Sequence, residues 1–265
     1  MSERHGYPPG VPCWTDVSTS DVEGARAFYG ALFGWDWTVE ADPALGGYST
    51  ALLRGRPVCG LGPRPGDDQP VAWSTFLMVE DAEKAAAAVA EAGGTMASPL
   101  MELGEQVRTA YAADPTGAFF GLFEPRAHRG AGLVNEPGTV VWNELVSPDL
   151  DAARPFYTAV FGIGWTEEDA GGPEPYALLQ VDGRTVGGAT RDLGGTAEPV
   201  AGLGSLPPHW EVYFEVADTA ATVARVRELG GRVLSDVRPT PQGPMATVAD
   251  PQGGVFSIIA SGSTE

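Results

Sequence analysis

The chain is poor in the residues that would commit it to several common functions. Of its 265 residues Lys84 is the only lysine, and Lys and Arg together number 16 against 35 Asp and Glu, a formal charge of −19. Nucleic acid and anionic lipid need a clustered basic face, and a chain this acidic does not supply one. There are two cysteines, Cys13 and Cys59, with no CxxC spacing, so neither a disulfide scaffold nor a structural zinc site is expected. Three histidines (His5, His128 and His209) leave little material for His-based chemistry. No run of apolar residues approaches the roughly 18 needed to span a bilayer, and MSERHGYPPG carries no apolar stretch that reads as a signal peptide. These absences point to a cytoplasmic protein with a small-molecule partner, no nucleic acid and no membrane, as a monomer or homodimer. The P-loop, HExxH and Gly-x-Ser-x-Gly patterns are also missing.

What is present is a duplication. WTDVSTSDVEGARAFYGALFGWDW from Trp14 matches WNELVSPDLDAARPFYTAVFGIGW from Trp142 at a constant offset of 128, which also pairs Tyr48 with Tyr176 and Gly60 with Gly188. WSTFLMVED from Trp73 matches WEVYFEVAD from Trp210, and DPTGAFFGLF from Asp114 matches DPQGGVFSII from Asp250. This divides the chain into a first domain over 11–125, a Gly- and Pro-rich linker over 126–138, and a second domain over 139–260. Within each half a strand, an Asp and a helix occur twice. Asp21, Asp81, Asp149 and Asp218 read as helix N-caps, glycines close the helices, and hairpins turn at Gly55-Arg56 and Gly183-Arg184. The fold class is α+β: tandem βαβββ modules, two per domain and four in all, forming cup-shaped mixed sheets with helices outside.

Strand, helix and three strands twice per half, with the FY-x3-FG and DP-x-G blocks, resemble the vicinal oxygen chelate superfamily of glyoxalases, extradiol dioxygenases and bleomycin resistance proteins, in its two-domain actinobacterial form. The resemblance implies that paired modules form a cup, from adjacent or exchanged modules, and that enzymes of the family hold a divalent metal there. It places ligands on the first strand of each module and near the chain's DP blocks. Those six positions hold Trp14, Ser74, Gly121, Trp142, Glu211 and Ser257, of which Glu211 alone is a metal-ligand type. No metal and no other cofactor is therefore expected, although His209, Glu211 and Glu144 together would make an unorthodox site.

Strand alternation says which side chains share each cup. In the first half these are Trp14, Asp16, Ser18, Ser74, Phe76, Met78, Phe119, Gly121 and Phe123. In the second they are Trp142, Glu144, Val146, Glu211, Tyr213, Glu215, Val255, Ser257 and Ile259. The expected ligand-binding residues are accordingly Trp14, Asp16, Phe76, Met78, Trp142, Glu144, Glu211, Tyr213 and Glu215, suited to an organic ligand that is cationic or aromatic. The alternative for Trp14 and Trp142 is that they fill cups collapsed by loss of the metal. If the protein is an enzyme, a glyoxalase-like lyase or isomerase or a hydroxylase or dioxygenase, the catalytic candidates are Glu144, His209 and Glu211 in the second domain.

Overall fold

The computed structural model describes residues 2–41, 46–168, 176–191 and 207–262. In the first half β1 (Pro12–Thr19), α1 (Val22–Phe33), β2 (Asp36–Val39), β3 (Ser49–Leu53) and β4 (Arg56–Pro63) form one module. A second follows as β5 (Ala72–Met78), α2 (Ala82–Glu91), β6 (Thr95–Met96), β7 (Met101–Leu103), β8 (Val107–Ala113) and β9 (Phe119–Pro125). The second half repeats the plan. Its first module is β10 (Val140–Ser147), α3 (Leu150–Phe161), β11 (Gly164–Glu168), β12 (Tyr176–Val181) and β13 (Arg184–Arg191). Its second is β14 (His209–Glu215), α4 (Thr219–Glu228), β15 (Arg232–Val233), β16 (Met245–Ala249) and β17 (Val255–Ile259).

Local chemistry sets these elements as the sequence indicates. All four cap aspartates accept a backbone N–H of the first helical turn, from Gly24, Glu83 and Lys84, Ala152 and Ala221 respectively. Gly34 and Gly162 close α1 and α3 in the left-handed conformation, at φ of 73° and 68°. The hairpins turn one residue earlier than expected, through Arg54-Gly55 and Asp182-Gly183, because Arg56 and Arg184 already pair in the ladders with Leu53 and Val181; both residues of each turn have positive φ, as a two-residue turn matching the strand twist requires.

The first sheet runs β2-β3-β4-β1-β5-β9-β8-β6, with β7 on β8, and the second runs β11-β12-β13-β10-β14-β17-β16-β15. Each sheet takes strands from one half only, so adjacent modules, not exchanged ones, build each cup. At its centre two first strands pair antiparallel, β1 with β5 and β10 with β14, while each pairs parallel with the last strand of its own module.

The helices work across the halves. Phe33 of α1 packs 5.0 Å from Phe214, and Tyr29 lies 5.6 Å from Phe256. Reciprocally, Phe156, Tyr157 and Phe161 of α3 pack around Phe120 at 5.6–5.9 Å. Two hydrogen bonds fix this exchange. The Tyr29 hydroxyl donates to Asp250 Oδ2 at 2.8 Å, and the Tyr157 hydroxyl donates to Asp114 Oδ2 at 3.0 Å. The other oxygen of each aspartate accepts backbone N–H groups of its own DP turn. The FY and DP blocks that reveal the duplication are thus the two sides of one clasp made twice, tyrosine from one half and aspartate from the other. Among the described residues no helix is long and apolar enough to cross a membrane.

Candidate functional site

The alternation that defines the cups holds in three dimensions. Trp14, Phe76, Met78 and Phe123 form one buried cluster, while Leu77, Val79, Phe120 and Leu122 pack in a different cluster beneath the helices. A β-bulge interrupts β1 between Pro12 and Trp14, and another interrupts β10 between Val140 and Trp142. A bulge re-aims the side chains beside it, and here it sets Trp14 opposite Phe76 and Trp142 opposite Tyr213. Phe119, expected inside, is instead 55% exposed. It begins β9 opposite Ala113 at the sheet's end, where no wall remains to cover it.

Each cup is organised around one buried carboxyl group, a tryptophan and two tyrosines. In the first, Trp14 Nε1 donates to the Tyr48 hydroxyl at 3.1 Å, and that hydroxyl approaches Asp16 Oδ2 at 3.4 Å. Burial pushes the Asp16 carboxyl up to about 7, against the opposing effect of the Tyr48 and Tyr111 hydroxyls. In the second, Trp142 Nε1 donates to the Tyr176 hydroxyl at 3.0 Å, and Tyr213 donates to Glu144 Oε2 at 2.9 Å. Burial first, and the Glu211 carboxylate second, push Glu144 up to about 7. Glu144 and Glu211 are direct cross-strand partners. The equivalent pair in the first cup is Asp16 with Ser74, so only the second cup opposes two acids.

Tyr48 and Tyr176 require the glycines at 60 and 188. A Cβ at Gly60 would fall on the Tyr48 hydroxyl, and one at Gly188 would fall on that of Tyr176. These four positions coincide in the repeat, which is the one sequence signal that pointed to the tyrosines. Strand alternation from the central strands alone missed them, together with Tyr111 on β8.

The first cup is filled. Trp14, Phe76, Met78 and Phe123 are each at most 4% exposed. His128, from the linker, stands edge-on to Trp14 with ring centroids 4.4 Å apart, and 5.2 Å from Phe123. Burial there lowers the His128 pKa to about 4, so at neutral pH the ring is an uncharged plug. The stretch after Pro125 is more than a spacer, since Ala131 and Leu133 are also buried. The second cup has no counterpart of His128 among the described residues, and its Trp142, Glu211 and Thr247 are only half-buried. Among the described residues Trp142 is thus less covered than Trp14.

The remaining sequence candidates divide. Ser257 donates to Glu211 and shares a 2.9 Å hydrogen bond with Thr247, tying that side of the second cup together. Glu215 is buried but occupied elsewhere: the backbone N–H of Ser261 donates to it at 2.9 Å and the Ser261 hydroxyl donates to it too. It ends the strand, where the C-terminal segment folds back over it. His209 stands at the start of β14, its Nδ1 2.8 Å from the Pro207 carbonyl oxygen, and does not join Glu144 and Glu211 in a ligand cluster. No three His, Cys, Asp or Glu side chains among the described residues gather as a metal would require. At Gly121 a Cβ would fall inside the Phe76 ring, which takes the space a ligand side chain would need. The side chains present do not fit a divalent cation of the family type.

Comparison with known proteins agrees with this architecture. The Glyoxalase/Bleomycin resistance protein/Dioxygenase superfamily matches residues 13–122, and a Glyoxalase-like domain matches residues 140–259. CFP32 of Mycobacterium bovis is 36% identical over 264 residues, covering 98% of each chain. The anthracycline biosynthesis protein DauV of Streptomyces sp. (strain C5) is 35% identical over 268 residues, covering 96% of this chain and 94% of DauV. Among solved structures, the 2,3-dioxygenase LapB from Pseudomonas sp. KL28 superposes with a TM-score of 0.63 at 15% identity, over 96% of this chain and 93% of LapB. The Mn(II)-bound glyoxalase from Novosphingobium aromaticivorans gives 0.62 at 15% identity, over 98% and 83%. At that identity these two inform on fold alone. The chain belongs to the Glyoxalase/Bleomycin resistance protein/Dioxygenase superfamily.

Proposed function

We propose that the protein binds an organic ligand, aromatic and cationic, in its second cup, without a metal of the family type. The observation that carries this reading is the facing pair Glu144 and Glu211 beside a half-buried Trp142, in a cup with no counterpart of His128 among the described residues. A carboxyl held near pH 7 by burial and by a second acid gains most from a cation. The positive charge relieves the repulsion and replaces the proton, and the Trp142 and Tyr213 rings add stacking or cation–π attraction of about 0.5–2 kcal/mol each. The relationship to an anthracycline biosynthesis protein suggests a fused-ring ligand. An anthracycline carrying an amino sugar unites both features, and its neutral aglycone is the natural control.

Tryptophan fluorescence separates the cups. Titration with the amino-sugar anthracycline in the presence of chelator should quench the wild-type protein saturably. The quench should survive in Trp14→Phe and be largely lost in Trp142→Phe. Equal loss in both variants, or quenching that appears only after a divalent metal is added, would overturn the proposal.

A second reading rests on the same carboxyl. A buried Glu held near 7 is poised for general-base work, so the second domain would carry out a lyase, isomerase or hydroxylase-like reaction with Glu144 moving the proton and Glu211 positioning it through charge. In that case Glu144→Gln abolishes turnover of a ligand identified by binding, whereas binding survives.

A further inference from the structure

The acids of the second cup are not its only charges. Arg238 precedes β16 and pairs with the first residue of that strand, Met245: the backbone N–H of each donates to the carbonyl oxygen of the other at 2.9 Å. Residues that exchange both hydrogen bonds stand directly opposite, and their side chains leave the sheet on the same face. That face is the cup. Met245 packs with Tyr213, Ile259 and Trp142, and Thr247, two residues on, shares a hydrogen bond with Ser257, which donates to Glu211. The intervening Ala246 and Val248 belong to the core cluster on the opposite face. Arg238 therefore stands on the cup's face, exposed at its rim, and forms no ion pair with any described residue.

The charge of Arg238 is felt inside the cup. Burial and the Glu211 carboxylate raise the Glu144 pKa, and besides the Tyr213 and Tyr176 hydroxyls the group that pulls it back is the Arg238 guanidinium. The first half lacks such a cation. Thr109 stands where Met245 does, five residues before the DP aspartate, and its cross-strand partner is the uncharged Met101. An arginine at the rim repels a ligand that carries positive charge alone, whereas the buried acids favour a cation. A ligand with both charges removes the conflict.

We infer that the second cup selects a bipolar aromatic ligand, with an ammonium group for Glu144 and Glu211 and a carboxylate at the opposite end for Arg238. The inference rests on the cation-binding reading of this cup and adds the second charge to it. Arg238 is then a specificity-determining residue, because its planar guanidinium matches a carboxylate in a bidentate geometry. The Trp142 and Tyr213 rings hold the aromatic body between the two charges.

The test titrates the full chain by calorimetry, with chelator present, using 6-(aminomethyl)-2-naphthoate and its methyl ester, which keeps the rings and the amine but removes the anion. Wild type should bind the acid about tenfold or more tightly than the ester, as a charge-assisted hydrogen bond provides. Arg238→Met should erase that preference and bind the ester as tightly as before or more so, and Arg238→Lys should restore part of it. Glu211→Gln should weaken both ligands and keep the preference for the acid. Without ligand, Arg238→Met should move the titration midpoint of Glu144 upward, followed by NMR of its carboxyl carbon. Equal binding of acid and ester by wild type, a preference that survives Arg238→Met, or a Glu144 midpoint that does not move would each overturn the inference while leaving the cation reading in place. If Arg238→Met erases the preference but neither ligand responds to Glu211→Gln, the cation reading fails and the role of the arginine stands. Binding of neither ligand below about 10 mM, weaker than any useful site, overturns both.

Discussion

Replacing Tyr29 by Phe removes one oxygen atom from a fully buried ring and breaks a contact between the two halves. The hydroxyl donates to Asp250 Oδ2 at 2.8 Å and accepts from Trp73 Nε1 at 3.1 Å. Tyr29 and Asp250 are both 0% exposed and Trp73 is 7% exposed, so water does not replace the lost partner. A buried group left without its partner costs about 1–3 kcal/mol, and two are left, which places the loss at about 2–6 kcal/mol. Asp250 sets its pH dependence. Burial already raises its pKa, and the Tyr29 hydroxyl is among the groups that hold it down. In the variant the folded-state pKa rises further above the unfolded value. A carboxyl raised in this way favours folding when protonated and disfavours it as pH climbs through the folded pKa, so the loss should be smallest in acid, where Asp250 is protonated in both states, and grow as pH rises. Urea unfolding followed by far-UV circular dichroism and by tryptophan fluorescence measures it. Because the clasp joins the halves, both probes should report a single transition shifted to lower urea. Tyr157→Phe, which frees Asp114 and the Trp210 N–H (2.9 Å from the hydroxyl), should lower the unfolding free energy by a similar amount. A loss below about 0.5 kcal/mol, the scale of an ordinary surface substitution, would refute the assignment of these blocks to inter-half locking.

Other consequences follow from the two cups. Glu144 has its pKa raised from 4.5 to about 7, so the native state holds a proton the unfolded chain has released. Its contribution to stability is present below about pH 4.5 and is lost as pH rises towards 7, a span worth about 3 kcal/mol at most. Asp16 acts in the same sense, whereas His128, lowered to about 4, acts in the opposite one. The informative measurement is therefore the difference in unfolding free energy between wild type and Glu144→Gln, which should grow in favour of the variant between pH 5 and pH 8; a constant difference would contradict the shift. His128→Ala should open the first cup, with Trp14 emission shifting to longer wavelength, while Trp142 is unaffected; identical spectra would show that the histidine is not a plug. Gly188→Ala should displace Tyr176 and weaken binding in the second cup about tenfold with the fold retained, measured by calorimetry against circular dichroism.

Much of the fold was legible in the sequence because its determinants are local. The cap aspartates, closing glycines and hairpin turns act over three or four residues; the caps formed where their residues stand, and the two hairpin turns formed one residue before the expected Gly-Arg pairs. The faces of β1, β5, β10 and β14 also followed, since alternation survives even a bulge when the opposing strand carries the same apolar pattern. The site was legible only in part. Glu144, Glu211, Trp142 and Tyr213 share one cup as alternation implies, but Glu215 is drawn away by Ser261, a contact 46 residues distant in the chain. Tyr111 and Tyr176 come from outer strands, and Tyr48 from the residue just before one, and their inward direction depends on sheet curvature, which no local pattern encodes. His128 acts through a segment whose composition indicates only a linker; its packing on Trp14 is a tertiary event. The same holds for the crossing of α1 and α3 to the opposite half, which the repeated FY and DP blocks mark without revealing that they touch.

The account stands most directly on one calorimetric comparison, an amino-sugar anthracycline and its neutral aglycone titrated into wild type and Glu211→Gln at pH 6 and pH 8 with chelator present. The two-carboxylate cup predicts that the amine binds more tightly than the aglycone, that the advantage grows from pH 6 to pH 8 as Glu144 ionises, and that it shrinks in Glu211→Gln. Equal affinities of amine and aglycone, unaffected by pH and by loss of Glu211, would contradict it.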